Sequence, residues 1–375
     1  MKRRLLFAAI VLAAALAAPV QASSEDAPRI SAAAWYLVGA DDVVLAQESS
    51  RRHRPIASIT KLMTALVTLE RARPSDVVRV SPEAAGVGGS TVFLSAGEEL
   101  TVADLVRSML VPSANDAATA LALHVGNGSI ARFVALMNEK AQELGLTDTT
   151  FTNPHGLDQA GHVSSARDAT VLVRHALGFP FLHDALSRTT VLRGGRSIPS
   201  TDDLLGTWDP FLGGKTGHTD DAGWSQAGAA SARGATVYGT VLGAGSRSAR
   251  NQALQALLAH GLASYGRIAA IDSSRVYASA RTGYGRPDVE LVPARTIVRT
   301  VHENASLLER VVAPVSVGLP VRAGERLGRV ELWDGDRLLA SSNLVARESV
   351  SDPGAVRKAT WFVGRTAEHV WGLVT

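Results

Sequence analysis

The 375-residue chain contains no cysteine. That absence excludes disulfides, thiol catalysis and thiolate metal sites. Aromatic residues make up only 5%, and neither a basic stripe nor an aromatic platform suited to nucleic acid is present. Beyond residue 22 no hydrophobic run is long enough to span a bilayer. The chain has no internal repeat, no low-complexity segment and no G-x-x-x-x-G-K-[ST] phosphate loop. It has no cluster of metal-ligating residues, so no metal or cofactor is implied. Lysine is scarce: Lys2, Lys61, Lys140, Lys215 and Lys358 are the only five among 38 basic residues.

What is present begins with a leader. Lys2, Arg3 and Arg4 precede an unbroken apolar run over 5–18, and Val20-Gln21-Ala22 supplies small residues at cleavage spacing. This pattern predicts a secretory signal peptide over 1–22, with an uncleaved signal anchor as the alternative. An extracytoplasmic place, in the cell envelope or periplasm, follows from either. The formal net charge of +3 resides in those three leader residues. The chain without them is neutral, so its high pI says nothing about an anionic partner.

The remaining length suits two domains. Strands are expected over 30–38 and 43–47, then an apolar helix over 57–72. Thr101 and Asp104 have the spacing of a capping box. Helical periodicity marks 115–125, 129–144 and 165–177. Strands follow over 223–232 and 236–244, then a helix over 250–266. Strands at both ends of the segment with helices between predict an α+β domain over 23–270, its sheet closed by distant segments. Residues 275–348 read as a small all-β domain, with a hairpin around Asp334-Gly335. The tail over 349–375 carries Trp361, Phe362 and Trp371 on a short helix. It suits either a membrane surface or its own domain.

Three short motifs carry chemistry. In Ser58-Ile59-Thr60-Lys61, positions i and i+3 share a helical face, so the amine can reach the hydroxyl. A desolvated amine has a lowered pKa and can take the proton that makes a serine nucleophilic. Free N–H groups at the helix start can hold an oxyanion. Ser113-Ala114-Asn115 lies between two helices, where a hydroxyl and an amide can face a cleft, although both residue types are also ordinary N-caps. Lys215-Thr216-Gly217-His218 leads from a Gly-rich turn towards a strand. Its lysine and threonine can bind a carboxylate, and Gly217 lets another backbone approach closely.

In this order the motifs match the S-x-x-K, S-D-N and K-T-G set of serine enzymes that recognise penicillin. The chain resembles the serine-type D-alanyl-D-alanine carboxypeptidases, the low-molecular-mass penicillin-binding proteins. The likeness covers about 29–266 and includes "VFLSAGEELTVADLVRSMLVPSANDAA", "FTNPHGLDQAGHVSSARD" and "GGKTGHTDDAGW"; it is weaker over 275–348.

The resemblance implies a β-lactamase/transpeptidase-like domain, with an antiparallel sheet, helices on both faces and a helical subdomain, followed by a β-domain. It implies an exported enzyme that removes the terminal D-alanine from peptidoglycan stem pentapeptides and is inhibited by β-lactams. Ser58 matches the nucleophile, Lys61 the base and Ser113 a proton relay. Asn115, Lys215, Thr216, Gly217 and His218 match substrate-binding positions, with the N–H groups of Ser58 and His218 as the oxyanion hole. Arg250 matches an arginine that supports carboxylate recognition, ahead of Arg247. His155 and Gly156 match a structural segment, and the tail matches a membrane anchor.

Two departures stand out. Ala114 replaces a frequent glycine, and "STDDLL" at 200–205 replaces an Asn-rich turn. A DD-endopeptidase of the same family would carry the same motifs. A class A β-lactamase would need an E-x-x-L-N segment that this chain lacks. A non-catalytic peptide binder would not need Ser58, Lys61 and Lys215 intact.

Overall fold

A computed structural model describes residues 8–11 and 28–371. It divides into one unit over Ser23–Ser264 and another made of Met1–Ala22 and Tyr265–Thr375.

In the first unit, a five-stranded antiparallel sheet is built from β1 (Ala34–Gly39), β2 (Val44–Glu48), β3 (Phe211–Thr219), β4 (Gly223–Ala232) and β5 (Ala235–Ala244). Its order is β2-β1-β5-β4-β3. The sheet thus joins residues some two hundred positions apart, with Val241 opposite Trp35. All six β1 residues are buried, as a central strand covered on both faces requires.

The unit's longer helices are α1 (Lys61–Arg71), α2 (Val102–Leu110), α3 (Asn115–Val125), α4 (Ile130–Glu143), α5 (Ala166–Leu177) and α6 (Arg247–Ala263). Thr101 is the N-cap of α2, as the spacing suggests, but only half of a capping box is seen: Thr101 Oγ1 accepts from Asp104 N at 3.1 Å, and the Asp104 carboxylate accepts from the Thr101 hydroxyl at 2.6 Å in place of the backbone N–H. α1 is buried at eight successive positions, from Lys61 to Thr68. α3 is also buried nearly all round. A helix apolar on every face belongs inside a domain, and among the described residues no single helix is long and apolar enough to cross a membrane.

Two local expectations need correction. Gly213 and Gly214 do not form a turn before the K-T-G motif; they lie inside β3. A Cβ on Gly214 would sit 2.2 Å from Ala227 O, so glycine there serves close strand approach rather than a turn. The second concerns the boundary. Tyr265–Ile271 pairs with Ile297–His302 and belongs to the second unit, whereas the pattern carries the first domain as far as residue 270.

The second unit is strand-rich. Its six-stranded sheet runs Ala8–Val11, Leu307–Pro314, Arg326–Asp334, Arg337–Ala346, Val289–Pro293, Ala278–Ala280. Leu291, Val330 and Leu344 form part of its core. Of the leader, only Ala8–Val11 is described, as an edge strand beside Leu307–Pro314. The rest of the expected signal peptide lies outside the described residues. A helix over Gly354–Trp371 ends the described chain.

Candidate active site

The start of α1 is held by a tight turn. Ala57–Thr60 forms a short 3-10 segment ahead of Lys61, and Ala57 adopts φ +46. A left-handed alanine costs roughly 1–2 kcal/mol, and such strain concentrates at functional sites. Two glycines make room for this turn. A Cβ on Gly156 would lie 1.9 Å from Ala57 O, and one on Gly217 would lie 2.7 Å from Ile56 O and 3.1 Å from Ser58 N. Gly217 therefore brings β3 against the backbone of the Ser58 turn.

Lys61 is fully buried. Its Nζ lies 2.6 Å from Ser58 Oγ, 2.7 Å from Asn115 Oδ1 and 3.0 Å from His155 O. Burial pushes the amine well below its ordinary value, and the neighbouring Lys215 pushes it the same way. A neutral amine has two hydrogens and one lone pair. Asn115 Oδ1 and His155 O can only accept, so they take both hydrogens. The lone pair is left for the Ser58 hydroxyl, whose proton it can receive.

Ser113 and Asn115 are not caps. The residue at the N-cap of α3 is Ala114, which makes no side-chain cap bond. Instead Asn115 donates from Nδ2 to Gly88 O at 2.8 Å while its Oδ1 faces Lys61. Ser113, at φ +68, accepts from Lys215 Nζ at 3.0 Å. Lys215 also donates to Thr216 O at 3.0 Å. Burial lowers its pKa to about 7, opposed by Asp202 and reinforced by Arg250. Thr216 Oγ1 lies 2.7 Å from Thr201 Oγ1.

The other expected residues lie nearby with different exposure. His218 is exposed, with its ring 3.9 Å from that of Trp224. Arg250 is buried, not a surface arginine; it donates to Asn251 Oδ1 and Asp203 Oδ2, with its guanidinium 5.8 Å from the Trp224 ring. Arg247 is half-exposed and pairs with Asp203.

Some site residues escaped the sequence reading. His155 contributes its carbonyl to Lys61, and a carbonyl leaves no residue-type signal. Its side chain is half-buried, and its pKa falls to about 3 through desolvation, then the charges of Lys61 and His162. Thr201 and Asp202 lie in the departing "STDDLL" turn, which was the available signal.

Comparison with known proteins identifies the family. The family model described as D-alanyl-D-alanine carboxypeptidase matches residues 21–246. The curated D-alanyl-D-alanine carboxypeptidase DacD of Salmonella typhimurium is 32% identical over 378 residues, covering 94% of this chain and 96% of the relative. DacF of Bacillus subtilis is 29% identical, covering 84% of each. Penicillin binding protein 6B from Escherichia coli superimposes with a TM-score of 0.64 at 28% identity, over 86% of this chain and 98% of that one. Penicillin binding protein 5 from Haemophilus influenzae gives 0.63 at 27% identity, over 87% and 99%.

Proposed function

Because this chain belongs to the D-alanyl-D-alanine carboxypeptidase family, we propose that Ser58 is the residue it acylates when it removes the terminal D-alanine of a peptidoglycan stem peptide. The enzyme is a serine peptidase. The observation that carries the assignment is the Lys61 amine, 2.6 Å from Ser58 Oγ with acceptors on its other two bonds.

The steps follow from the groups present. Lys61 Nζ takes the Ser58 proton as Oγ bonds to the carbonyl carbon between the two D-alanines. The oxyanion is held by the N–H groups of Ser58 and His218. The tetrahedral adduct collapses, the C–N bond breaks, and Ser113 relays a proton to the leaving D-alanine amine. Water then cleaves the ester and restores Ser58. Lys215 supplies positive potential, Thr216 binds the terminal carboxylate, and Arg250 supports that recognition. A β-lactam enters by the same attack on its ring carbonyl, and its ring nitrogen is the leaving group.

The test pairs two probes, a fluorescent penicillin and a stem pentapeptide ending in D-Ala-D-Ala. The purified chain is expected to be labelled and to release D-alanine, and Ser58→Ala is expected to do neither. Labelling without D-alanine release would point to endopeptidase or binding work. Rapid turnover of the penicillin would point to a β-lactamase. No labelling would end the assignment of Ser58.

Two further readings are part of the proposal. The leader exports the chain to the cell envelope, which amino-terminal sequencing of the mature protein tests. The tail helix contacts the membrane surface. In its support, Val356, Phe362 and Val363 are 80%, 56% and 71% exposed. Trp361 and Phe362 also make edge contacts with Tyr284, at 5.4 and 6.0 Å between ring centroids, so the helix is anchored to its own domain as well. Co-sedimentation with anionic vesicles should fall when the chain is ended at Asp352. Equal sedimentation would remove the membrane role.

A further inference from the structure

The loop over 88–94 lies against the segment that carries Ser113 and Asn115, and short contacts tie the two together. Asn115 Nδ2 donates to Gly88 O at 2.8 Å, and Asn115 N donates to Ser90 O at 2.7 Å. Ser90 Oγ donates to Pro112 O at 3.0 Å. A Cβ on Gly89 would lie 2.6 Å from Asn115 Nδ2. Further along, Val92 N and Leu94 N both donate to Asp116 Oδ2, at 3.1 and 3.0 Å. Arg193 Nε donates to Val92 O at 3.1 Å. The loop is thus fixed along its length to the residues that hold Lys61.

One side chain of this loop has no use inside the fold. Phe93 is 87% exposed, between buried Val92 and Leu94, and it holds φ +59. The left-handed backbone has a local cause: it lets the N–H groups of Val92 and Leu94 converge on one carboxylate. That cause does not extend to the phenyl ring. Glycine or asparagine takes the same conformation with less strain than a bulky side chain. A ring left in water adds nothing to the core. Strain and exposure therefore fall together on a residue that the turn would accept in a less strained form, and such strain concentrates at functional sites.

The reach of the loop indicates what the ring touches. Asn115 Oδ1 is 2.7 Å from Lys61 Nζ, which is 2.6 Å from Ser58 Oγ. Ser90, bonded to Asn115 N, stands beside these groups. Phe93 follows Ser90 by three residues, so the two Cα atoms are at most about 11 Å apart. In a stem pentapeptide, three residues also separate the fourth, whose carbonyl Ser58 attacks, from the first. The ring has no hydrogen-bonding group, so it suits the apolar atoms of a peptide. We propose that Phe93 is a specificity-determining residue for D-alanine release, its ring packing on the amino-terminal part of the stem peptide, away from the two D-alanines. This rests on the role given above to Ser58.

Phe93→Asn removes the ring and keeps the left-handed turn. D-alanine release is compared on three substrates: a stem pentapeptide, an acetylated tripeptide with the same D-Ala-D-Ala end, and the pentapeptide carrying N-acetylmuramic acid. In the variant, kcat/KM for the pentapeptide should fall about tenfold relative to the tripeptide, chiefly through KM. The midpoint of thermal unfolding should hold or rise by about 2–4 °C as the strain is relieved. A ring with a purely structural role would not give a weaker KM without a loss of stability. Phe93→Tyr, which keeps the ring, should keep the parent's ratio.

An unchanged ratio, or an equal loss on both peptides, overturns the proposal. A loss confined to the muramyl pentapeptide also overturns it, because the ring would then serve the sugar. Pentapeptide binding to Ser58→Ala, with and without Phe93→Asn, separates this contact from the reading of Ser58. If the parent releases no D-alanine and that binding still weakens about tenfold, the carboxypeptidase reading fails and the Phe93 contact stands. Binding that does not weaken removes the contact.

Discussion

Lys61→Met should slow acylation of Ser58, by peptide or penicillin, by about 10²–10⁴-fold, the usual contribution of a positioned base. Methionine keeps the length and apolar stem of the side chain but has no proton acceptor of comparable strength. Ser58 would keep its place in the turn, since Gly156 and Gly217 rather than Lys61 make room for that turn. Acylation within a few-fold of the parent would mean that another group takes the serine proton.

The same substitution has a stability signature whose sign can be worked out. Burial lowers the Lys61 pKa in the folded chain. Between that lowered value and about 10.4, the ordinary lysine value, the unfolded chain binds a proton that the folded chain does not. Stability therefore rises with pH across that window, and the contribution is absent below it. Denaturation of parent and variant at neutral and alkaline pH should show a smaller gain for Lys61→Met. Identical gains would contradict a depressed Lys61.

Gly156→Ala should be the most damaging of the small substitutions. Gly156 has φ +89, and its added Cβ would lie 1.9 Å from Ala57 O, 2.4 Å from Ala57 C and 2.9 Å from Thr60 Oγ1. The neighbours are mostly backbone, so no side-chain rotation relieves the clash. Strained backbone costs roughly 1–3 kcal/mol and overpacking another 1–3 kcal/mol, so about 2–6 kcal/mol of destabilisation is expected.

The damage should also be functional. Gly156 follows His155, whose carbonyl fixes Lys61, and it rests on the turn that presents Ser58. Gly128 is the control, with φ +82 but nothing within 4 Å of its added Cβ. Gly128→Ala should cost only the backbone strain, about 1–2 kcal/mol, and leave penicillin labelling unchanged. Thermal unfolding and labelling of the two variants together decide the matter; equal effects would show that the contact with Ala57 is unimportant.

How much of this was legible in the sequence depended on the kind of interaction. Ser58 and Lys61 could be paired from helical spacing, because both belong to one short element. The cap formed by Thr101 with Asp104 was equally local. The strand-rich ends of the first unit announced a closed sheet.

What could not be read was long-range. No pattern links Asn115 to Lys61 or Lys215 to Ser113, and only the resemblance put them in one site. Gly213 and Gly214 read as a turn because glycine commonly makes one, while their use in tight strand packing depends on Ala227, which lies in another strand. Tyr265–Ile271 was misassigned because its partner, Ile297–His302, lies some thirty residues ahead. Asp202 was visible as a departure, but its burial beside Gln226 was not.

The order of the central sheet bears on how the chain comes to be folded. β1 is a fully buried strand, yet the strand that pairs with most of it, β5, is among the last parts of the unit to be synthesised. Until residues 235–244 emerge, an apolar strand made near the beginning has no central partner, only the hairpin with β2. Contacts of such long sequence separation form slowly, and unpaired apolar strands are the segments that aggregate. The Ser58 pocket itself is completed by β3, more than 150 residues after the nucleophile. A chain interrupted anywhere before Lys215 thus carries Ser58 and Lys61 without the β3 residues that pack against their turn. The site's geometry is complete only once the last strands close a sheet that the first ones began.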